Sequence, residues 1–141
     1  MSNNIFRIED GVLVGIVNGE ECPQNICVPN GVTRIGESAF KYCESLKSVT
    51  LPDSVTEIEE WAFADCKSLK SITLPDSVTE IGEGAFAGCK NLETIVIPNG
   101  VTRIGDFAFR GCVSLKSVTL PDSVTKIGVG AFPDNVQIIR R

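Results

Sequence analysis

Apolar positions recur along this chain with a fixed step of 23 residues, and mostly polar residues fill the positions between them. Valine, isoleucine, phenylalanine and cysteine each form a column with this step. The columns are Val32, Val55, Val78, Val101 and Val124; Ile35, Ile58, Ile81, Ile104 and Ile127; Phe40, Phe63, Phe86, Phe109 and Phe132; and Cys43, Cys66, Cys89 and Cys112. A fixed period of this length is typical of solenoids. The sequence therefore predicts five stacked turns of chain.

Each turn contains two short extended pieces and one tighter piece. In the third turn, Ser71–Leu74 alternates polar and apolar residues, the period of a half-buried strand, and Pro75 ends it because proline cannot donate to a ladder. Val78–Ile81 is a second extended piece, which a glycine ends. Residues 83–89 are predicted to form a single helical or 3-10 turn. The residues predicted to face inward are Leu69, Ile72, Leu74, Val78, Ile81, Ala85, Phe86 and Cys89.

Both ends of the chain depart from the repeat. Two strand-like runs, 6–8 and 12–17, lie on either side of Asp10 and Gly11, a dipeptide that is a hairpin signal. This hairpin is expected to cover the first turn, as terminal units of solenoids must. The predicted division, within one structural domain, is a capping hairpin and loop at 1–25, a five-turn solenoid at 26–132 and a closing segment at 133–141.

The composition narrows the classes of function. The 141 residues carry a net charge of −5 and no clustered Lys/Arg footprint, which argues against nucleic acid as a partner. The chain has no histidine, so no Ser-His or Cys-His pair can form, and we predict no enzymatic activity and no cofactor. Neither a membrane-spanning apolar run nor the apolar core of a signal peptide is present. The sequence thus predicts a cytoplasmic protein or an excised domain of a surface protein.

Six cysteines raise the question of disulfides and metal binding. The four in the column are predicted to be buried thiols, because parallel side chains neither converge on a metal nor suit disulfide geometry. Cys22 and Cys27 lie outside this column, and a disulfide between them is one alternative in an oxidising compartment. An acidic column is predicted to be a solvated outer face, with no metal bound and no acid–base pair. Its members are Glu37, Glu60, Glu83 and Asp106.

The positions at which the turns differ are the candidates for binding. Unrepeated aromatic and arginine residues gather in and beside the tight pieces, and they are Trp61, Phe107, Arg110 and Tyr42. Exposed aromatic side chains next to an arginine are typical anchors of protein interfaces. We therefore take these four as candidate protein-binding residues. The alternative is that each ring covers the gap left by a glycine, as Trp61 would over Gly84.

The repeat Leu-x-x-Ile/Val-x-Leu-Pro-x-x-Val-x-x-Ile-Gly-x-x-Ala-Phe-x-x-Cys resembles that of the BspA-like (treponemal-type) leucine-rich repeat proteins, over five turns from about Ile26 to Ile138. The motif Ile8-Glu-Asp-Gly-Val-Leu is similar to the N-terminal hairpin of that family. The resemblance implies a right-handed, β-rich leucine-rich-repeat solenoid used for protein contacts. Members of the family are often surface adhesins of bacteria and protists.

We therefore expect a non-enzymatic scaffold for protein–protein interaction, with cell adhesion as a candidate role and a protein as the partner. Two alternatives remain open from the residues alone. Near-identical turns with only a short closing segment would permit copies to stack end to end into a structural assembly. Turns so alike are also what a designed or consensus repeat scaffold would contain.

Overall fold

A computed structural model describes residues 5–17 and 21–141, and within them the chain forms eleven short strands and no helix. The strands are β1 Phe6–Glu9, β2 Val12–Ile16, β3 Asn25–Cys27, β4 Arg34–Ile35, β5 Ser48–Thr50, β6 Glu57–Ile58, β7 Glu80–Ile81, β8 Arg103–Ile104, β9 Ser117–Leu120, β10 Lys126–Ile127 and β11 Gln137–Arg140. In these ranges nothing is helical, long and apolar enough to cross a bilayer. Successive turns pair with a step of 23 residues, which confirms the predicted β-rich solenoid.

The second extended piece of each turn builds a seven-stranded sheet. Its order is β1-β2-β4-β6-β7-β8-β10, and every pair after the antiparallel β1–β2 hairpin is parallel. Equivalent positions of successive turns therefore lie opposite each other, as Ile58 does to Ile81. A threonine column reinforces this sheet, because the hydroxyls from the second turn onward each donate to the threonine carbonyl of the turn before, as Thr79 does to Thr56 at 3.2 Å.

The first extended piece of each turn pairs less completely than its alternating pattern predicts. β3 pairs with β5 and β9 with β11, whereas the third and fourth turns are joined by an isolated bridge between Ser71 and Thr94. A proline such as Pro75 ends each of these pieces, and it has no N–H with which to extend the ladder. The predicted strand at Ser71–Leu74 is present only as this bridge.

The predicted single helical or 3-10 turn is wrong. Its backbone N–H groups alternate between two kinds of acceptor. Ala39 donates to Gly36 within its own turn at 3.1 Å, whereas Phe40 donates to Ala62 of the next turn at 2.8 Å. Tyr42 has a φ of +66°, which a right-handed helix excludes. The piece is a series of tight turns, and every second N–H ties one turn of the solenoid to the next.

The core contains all eight residues predicted to face inward in the third turn. At its centre the rings of the phenylalanine column are stacked, with neighbouring centroids 5.3–5.4 Å apart. Phe6 of the hairpin ends this stack by placing its ring against that of Phe40 at 6.2 Å and 89°. The hairpin thus covers the first turn, as predicted. Residues 1–4 and 18–20 of the predicted cap lie outside the described residues.

The C-terminal end of the stack is less completely covered. β11 pairs in parallel with β9, but Gln137 lies opposite Ser117, so the last step is three residues shorter than a full turn. Ile127 is 41% exposed, whereas its counterpart Ile104 in the turn before is 2% exposed. The exposed apolar side chains of the last turn and closing segment are Ile127, Val129, Ile138 and Ile139.

Candidate protein-binding groove

A groove of about 360 Å³ opens along the tight pieces of the first four turns and is termed here the side groove. It is lined by Lys41, Tyr42, Trp61, Ala64, Asp65, Ala87, Gly88, Arg110 and Gly111. This lining combines small residues with two aromatic rings, two cations and one carboxylate. A concave surface with a few polar groups among apolar ones is typical of a binding site.

The backbone of one column explains where the aromatic rings lie. All five members have φ between +57° and +62°, the left-handed region, and they are Ser38, Trp61, Gly84, Phe107 and Gly130. The ring of Trp61 lies over Gly84, where an added Cβ would collide with it. Phe107 covers Gly130 in the same way, 3.0 Å from the place of a Cβ. Both rings are half-buried, so each covers a glycine and still presents part of its surface to solvent.

Cationic side chains stand over the aromatic residues beside the side groove. The Lys41 Nζ atom lies 5.1 Å from the ring centre of Tyr42 and 5.8 Å from that of Trp61. The Arg110 guanidinium lies 5.2 Å from the ring centre of Phe107. These distances are within the range of cation–π attraction, which holds both cations near the groove. Tyr42 is 63% exposed and is the most accessible of the rings.

The structure brings together three of the four residues singled out in the sequence. Those that line the side groove are Tyr42, Trp61 and Arg110. Phe107 does not line it and is connected to it through its contact with Arg110. The role of all four in binding stays a prediction.

Sequence reasoning missed Lys41 and Asp65, which line the groove beside these candidates. Asp65 belongs to the column of Tyr42 and Lys41 to that of Arg110, so the sequence contained a signal. The information it lacked was the register between turns, in which Tyr42 donates to Ala64 at 2.9 Å. That bond places Lys41 next to the turn that carries Trp61.

A second, larger groove of about 800 Å³ runs along the seven-stranded sheet and is termed here the acidic groove. Its carboxylates are Glu37, Glu57, Glu59, Glu60, Glu80, Glu83 and Asp106, and its cations are Arg103 and Lys126. The acidic column follows directly on the strands that line this groove, and three of its four members are exposed: Glu37, Glu60 and Asp106.

The carboxylates of the acidic groove make surface contacts. Arg34 pairs with Glu57 at 3.5 Å and with Glu59 at 3.2 Å, and Asp106 accepts a hydrogen bond from the Val129 N–H at 2.8 Å. Within residues 5–17 and 21–141 no cluster of three or more histidine, cysteine, aspartate or glutamate side chains is arranged to hold a metal ion.

The family comparison agrees with this geometry. The model of the BspA type leucine-rich repeat region matches residues 20–139 in six copies. The chain therefore belongs to this family of repeat proteins. The sixth copy is consistent with β11, which continues the stack beyond the fifth turn.

Solved structures of leucine-rich repeat proteins resemble this one. The T. pallidum protein TpLRR is 35% identical with a TM-score of 0.88, and the match covers 95% of this chain and 66% of that one. A protein from Bacteroides ovatus is 33% identical with a TM-score of 0.82, over 96% of this chain and 38% of that one. A leucine rich cell surface protein from Faecalibacterium prausnitzii is 38% identical with a TM-score of 0.57, over 86% and 42%.

The chain thus spans less than two thirds of the length of each of these three structures. A search of curated proteins found no match.

Proposed function

We propose that the protein is a non-enzymatic leucine-rich repeat scaffold that binds a protein partner through the side groove. One observation carries this proposal: Tyr42, Trp61 and Arg110 depart from the repeat, come from three different turns and line one groove. Residues that recur in every turn are explained by the stacking of the turns. Residues that depart from the repeat and yet meet in one groove are what a ligand contacting all of them would favour.

The lining of the side groove indicates which partner would fit. Small residues such as Ala87 and Gly88 leave room for an apolar side chain, and the rings of Tyr42 and Trp61 offer it contact area. Lys41 and Arg110 are cations in a chain whose net charge is −5. We therefore expect a peptide segment that carries a carboxylate next to an apolar or aromatic side chain. The F. prausnitzii relative is described as a cell surface protein, which supports adhesion as the setting.

Alanine substitutions at Tyr42 and Arg110 are expected to weaken binding about tenfold each, because truncating an interface anchor typically costs about 1–2 kcal/mol. The probe is a peptide selected on the protein from a random display library, and the measurement is its Kd by calorimetry. Both side chains are exposed, so the far-UV circular dichroism should not change. Trp61→Ala and Phe107→Ala should also weaken binding, but the stability of these two variants must be measured alongside.

The matched control is Val113→Ala. Val113 is 67% exposed and does not line the side groove, so its truncation should leave the Kd unchanged. Equal affinities of wild type, Tyr42→Ala and Arg110→Ala would show that the selected peptide does not use this groove.

We propose self-association through the C-terminal end as a second candidate function. Ile127 and Ile138 are 41% exposed although their counterparts in earlier turns are buried, and among the described strands β10 and β11 each pair on one side only. A second copy meeting this end would cover the apolar side chains and the unpaired backbone groups together.

This second proposal predicts a solution mass that rises with protein concentration in light scattering. Ile138→Lys should hold the mass at that of one chain, because a buried, unpaired ammonium at the contact would be costly. Val113→Lys adds the same charge at a site away from this end and should still associate. A wild-type mass that stays at one chain at all concentrations would contradict self-association.

A further inference from the structure

One cation of the side groove lies near two aromatic rings at once. The Lys41 Nζ atom is 5.1 Å from the ring centre of Tyr42 and 5.8 Å from that of Trp61, so both rings are within cation–π distance of one point. In the described ranges, 5–17 and 21–141, no carboxylate forms an ion pair with Lys41. The two rings, termed here the aromatic pair, therefore hold a cation that the chain itself supplies.

The backbone at both rings is unusual. Tyr42 has a φ of +66° and Trp61 a φ of +58°, in the left-handed region that aromatic residues rarely adopt. Glycine occupies both positions in the third turn, as Gly88 and Gly84, so the stacking of the turns requires a ring at neither. Unfavourable backbone conformations of this kind cluster at ligand-binding positions. The backbone thus supports a role for the aromatic pair in binding.

The aromatic pair is open to solvent on the concave surface of the side groove. Tyr42 is exposed and Trp61 half-buried, and both line the groove. Asp65 lines it as well, and its carboxylate adds a negative charge near the rings. Aromatic faces that meet around one point are the surroundings in which proteins bind quaternary ammonium groups. A carboxylate nearby favours a cationic ligand further.

We propose that the aromatic pair is a binding site for a quaternary ammonium group, which takes the place of the Lys41 ammonium. A quaternary nitrogen carries methyl groups instead of N–H groups, so it gives up no hydrogen bonds to water on binding, whereas the ammonium of a lysine is strongly hydrated. The Lys41 side chain is flexible, so its ammonium returns to solvent when a ligand arrives. Lys41 is thus an internal competitor for the site.

This inference concerns the side groove but does not rest on the proposed binding of a protein, since a small cation is enough to replace one ammonium. The quaternary ammonium group could belong to a choline compound or to a trimethylated lysine. Choline and Nε-trimethyllysine are therefore the two probes, and the one with the lower Kd identifies the source. A library-selected peptide that binds elsewhere would contradict the proposed function and leave these titrations unaffected.

The test titrates the full chain with each probe at constant ionic strength and follows the fluorescence of Trp61, the only tryptophan. Choline should change the emission in a saturable way, because its nitrogen would lie against the indole ring. Dimethylbutanol, in which carbon replaces the charged nitrogen of choline, has the same shape without the charge and should bind more weakly. A response to choline that dimethylbutanol reproduces at the same concentrations would overturn the proposal.

Variants of the lysine test the competition directly. Lys41→Ala should lower the Kd for choline about two- to fivefold, the factor that corresponds to one cation–π contact at an exposed site. Lys41→Arg keeps an internal cation and should bind choline as wild type does. An unchanged Kd in Lys41→Ala, or no saturable change in either wild type or Lys41→Ala, would contradict the exchange of cations.

Variants of the tyrosine test the ring. Tyr42→Ala should raise the Kd for choline by about the same two- to fivefold factor, whereas Tyr42→Phe retains an aromatic face and should bind as wild type does. Val113→Ala, at an exposed position outside the groove, should also leave the Kd unchanged. If Tyr42→Ala binds choline as tightly as Tyr42→Phe, the ring of Tyr42 is not part of the site and the proposal fails.

Discussion

Replacing Phe86 with alanine is expected to lower the free energy of unfolding by about 3–5 kcal/mol, the usual cost of removing a large buried aromatic side chain. Phe86 is fully buried, and its ring stacks between those of Phe63 at 5.4 Å and Phe109 at 5.3 Å. Its removal would leave a cavity in the middle of the column, where turns on both sides hold the backbone in place. Urea denaturation followed by far-UV circular dichroism measures the loss as a lower midpoint.

Phe132→Ala is the matched control for this prediction. Phe132 is the last ring of the column, is half-buried and contacts one neighbouring ring, at 5.3 Å from Phe109. Its loss should cost roughly 1–2 kcal/mol, in proportion to the smaller apolar area that it buries. Equal destabilisation by the two variants would contradict a core in which the stacked rings at the centre contribute most.

Replacing Gly84 with alanine is expected to cost about 2–5 kcal/mol, the sum of a conformational and a steric effect. The left-handed φ of +60° costs an alanine roughly 1–2 kcal/mol. In addition, the new Cβ would collide with the Trp61 ring, and overpacking of this kind costs about 1–3 kcal/mol. The urea midpoint gives the sum of the two effects.

Two further variants separate the effects. Gly31 has a φ of +94° and nothing within 4 Å of the place of a Cβ, so Gly31→Ala should show the conformational cost alone. In a Trp61→Ala background the collision is absent, so Gly84→Ala should then cost only the roughly 1–2 kcal/mol of the left-handed conformation. If Gly84→Ala is equally costly with and without the ring of Trp61, the ring does not rest on this glycine.

The core could be predicted from the sequence because the repeat lets each column be read five times. A residue such as Phe86 or Ile81 that recurs in every turn must serve the stacking, since binding would not require all five. The hairpin could be predicted as well, because Asp10 and Gly11 lie between two apolar runs. These inferences depend only on spacing and local turn chemistry.

The tight pieces could not be predicted correctly because the contacts between turns override local preference. Aromatic residues rarely adopt positive φ, yet Trp61 and Phe107 do so at +58° and +59°. The presence of Gly84 and Gly130 in the same column was the available sign. The composition of these pieces nevertheless suits a helical turn. Hydrogen bonds to the neighbouring turn of the solenoid stabilise the series of tight turns instead.

The side groove could not be predicted without the register of the fold. The neighbours of Trp61 in space come from the turns before and after it. The repeat positions alone do not indicate which side chains face each other across the groove.

The most direct test of binding through the side groove is an NMR titration of the isotope-labelled protein with the library-selected peptide. Binding through the side groove should concentrate the shift changes at the amides of Tyr42, Asp65 and Gly88, which line it. Changes concentrated instead at Glu60 and Gly105 of the acidic groove, with the side-groove amides unmoved, would contradict it.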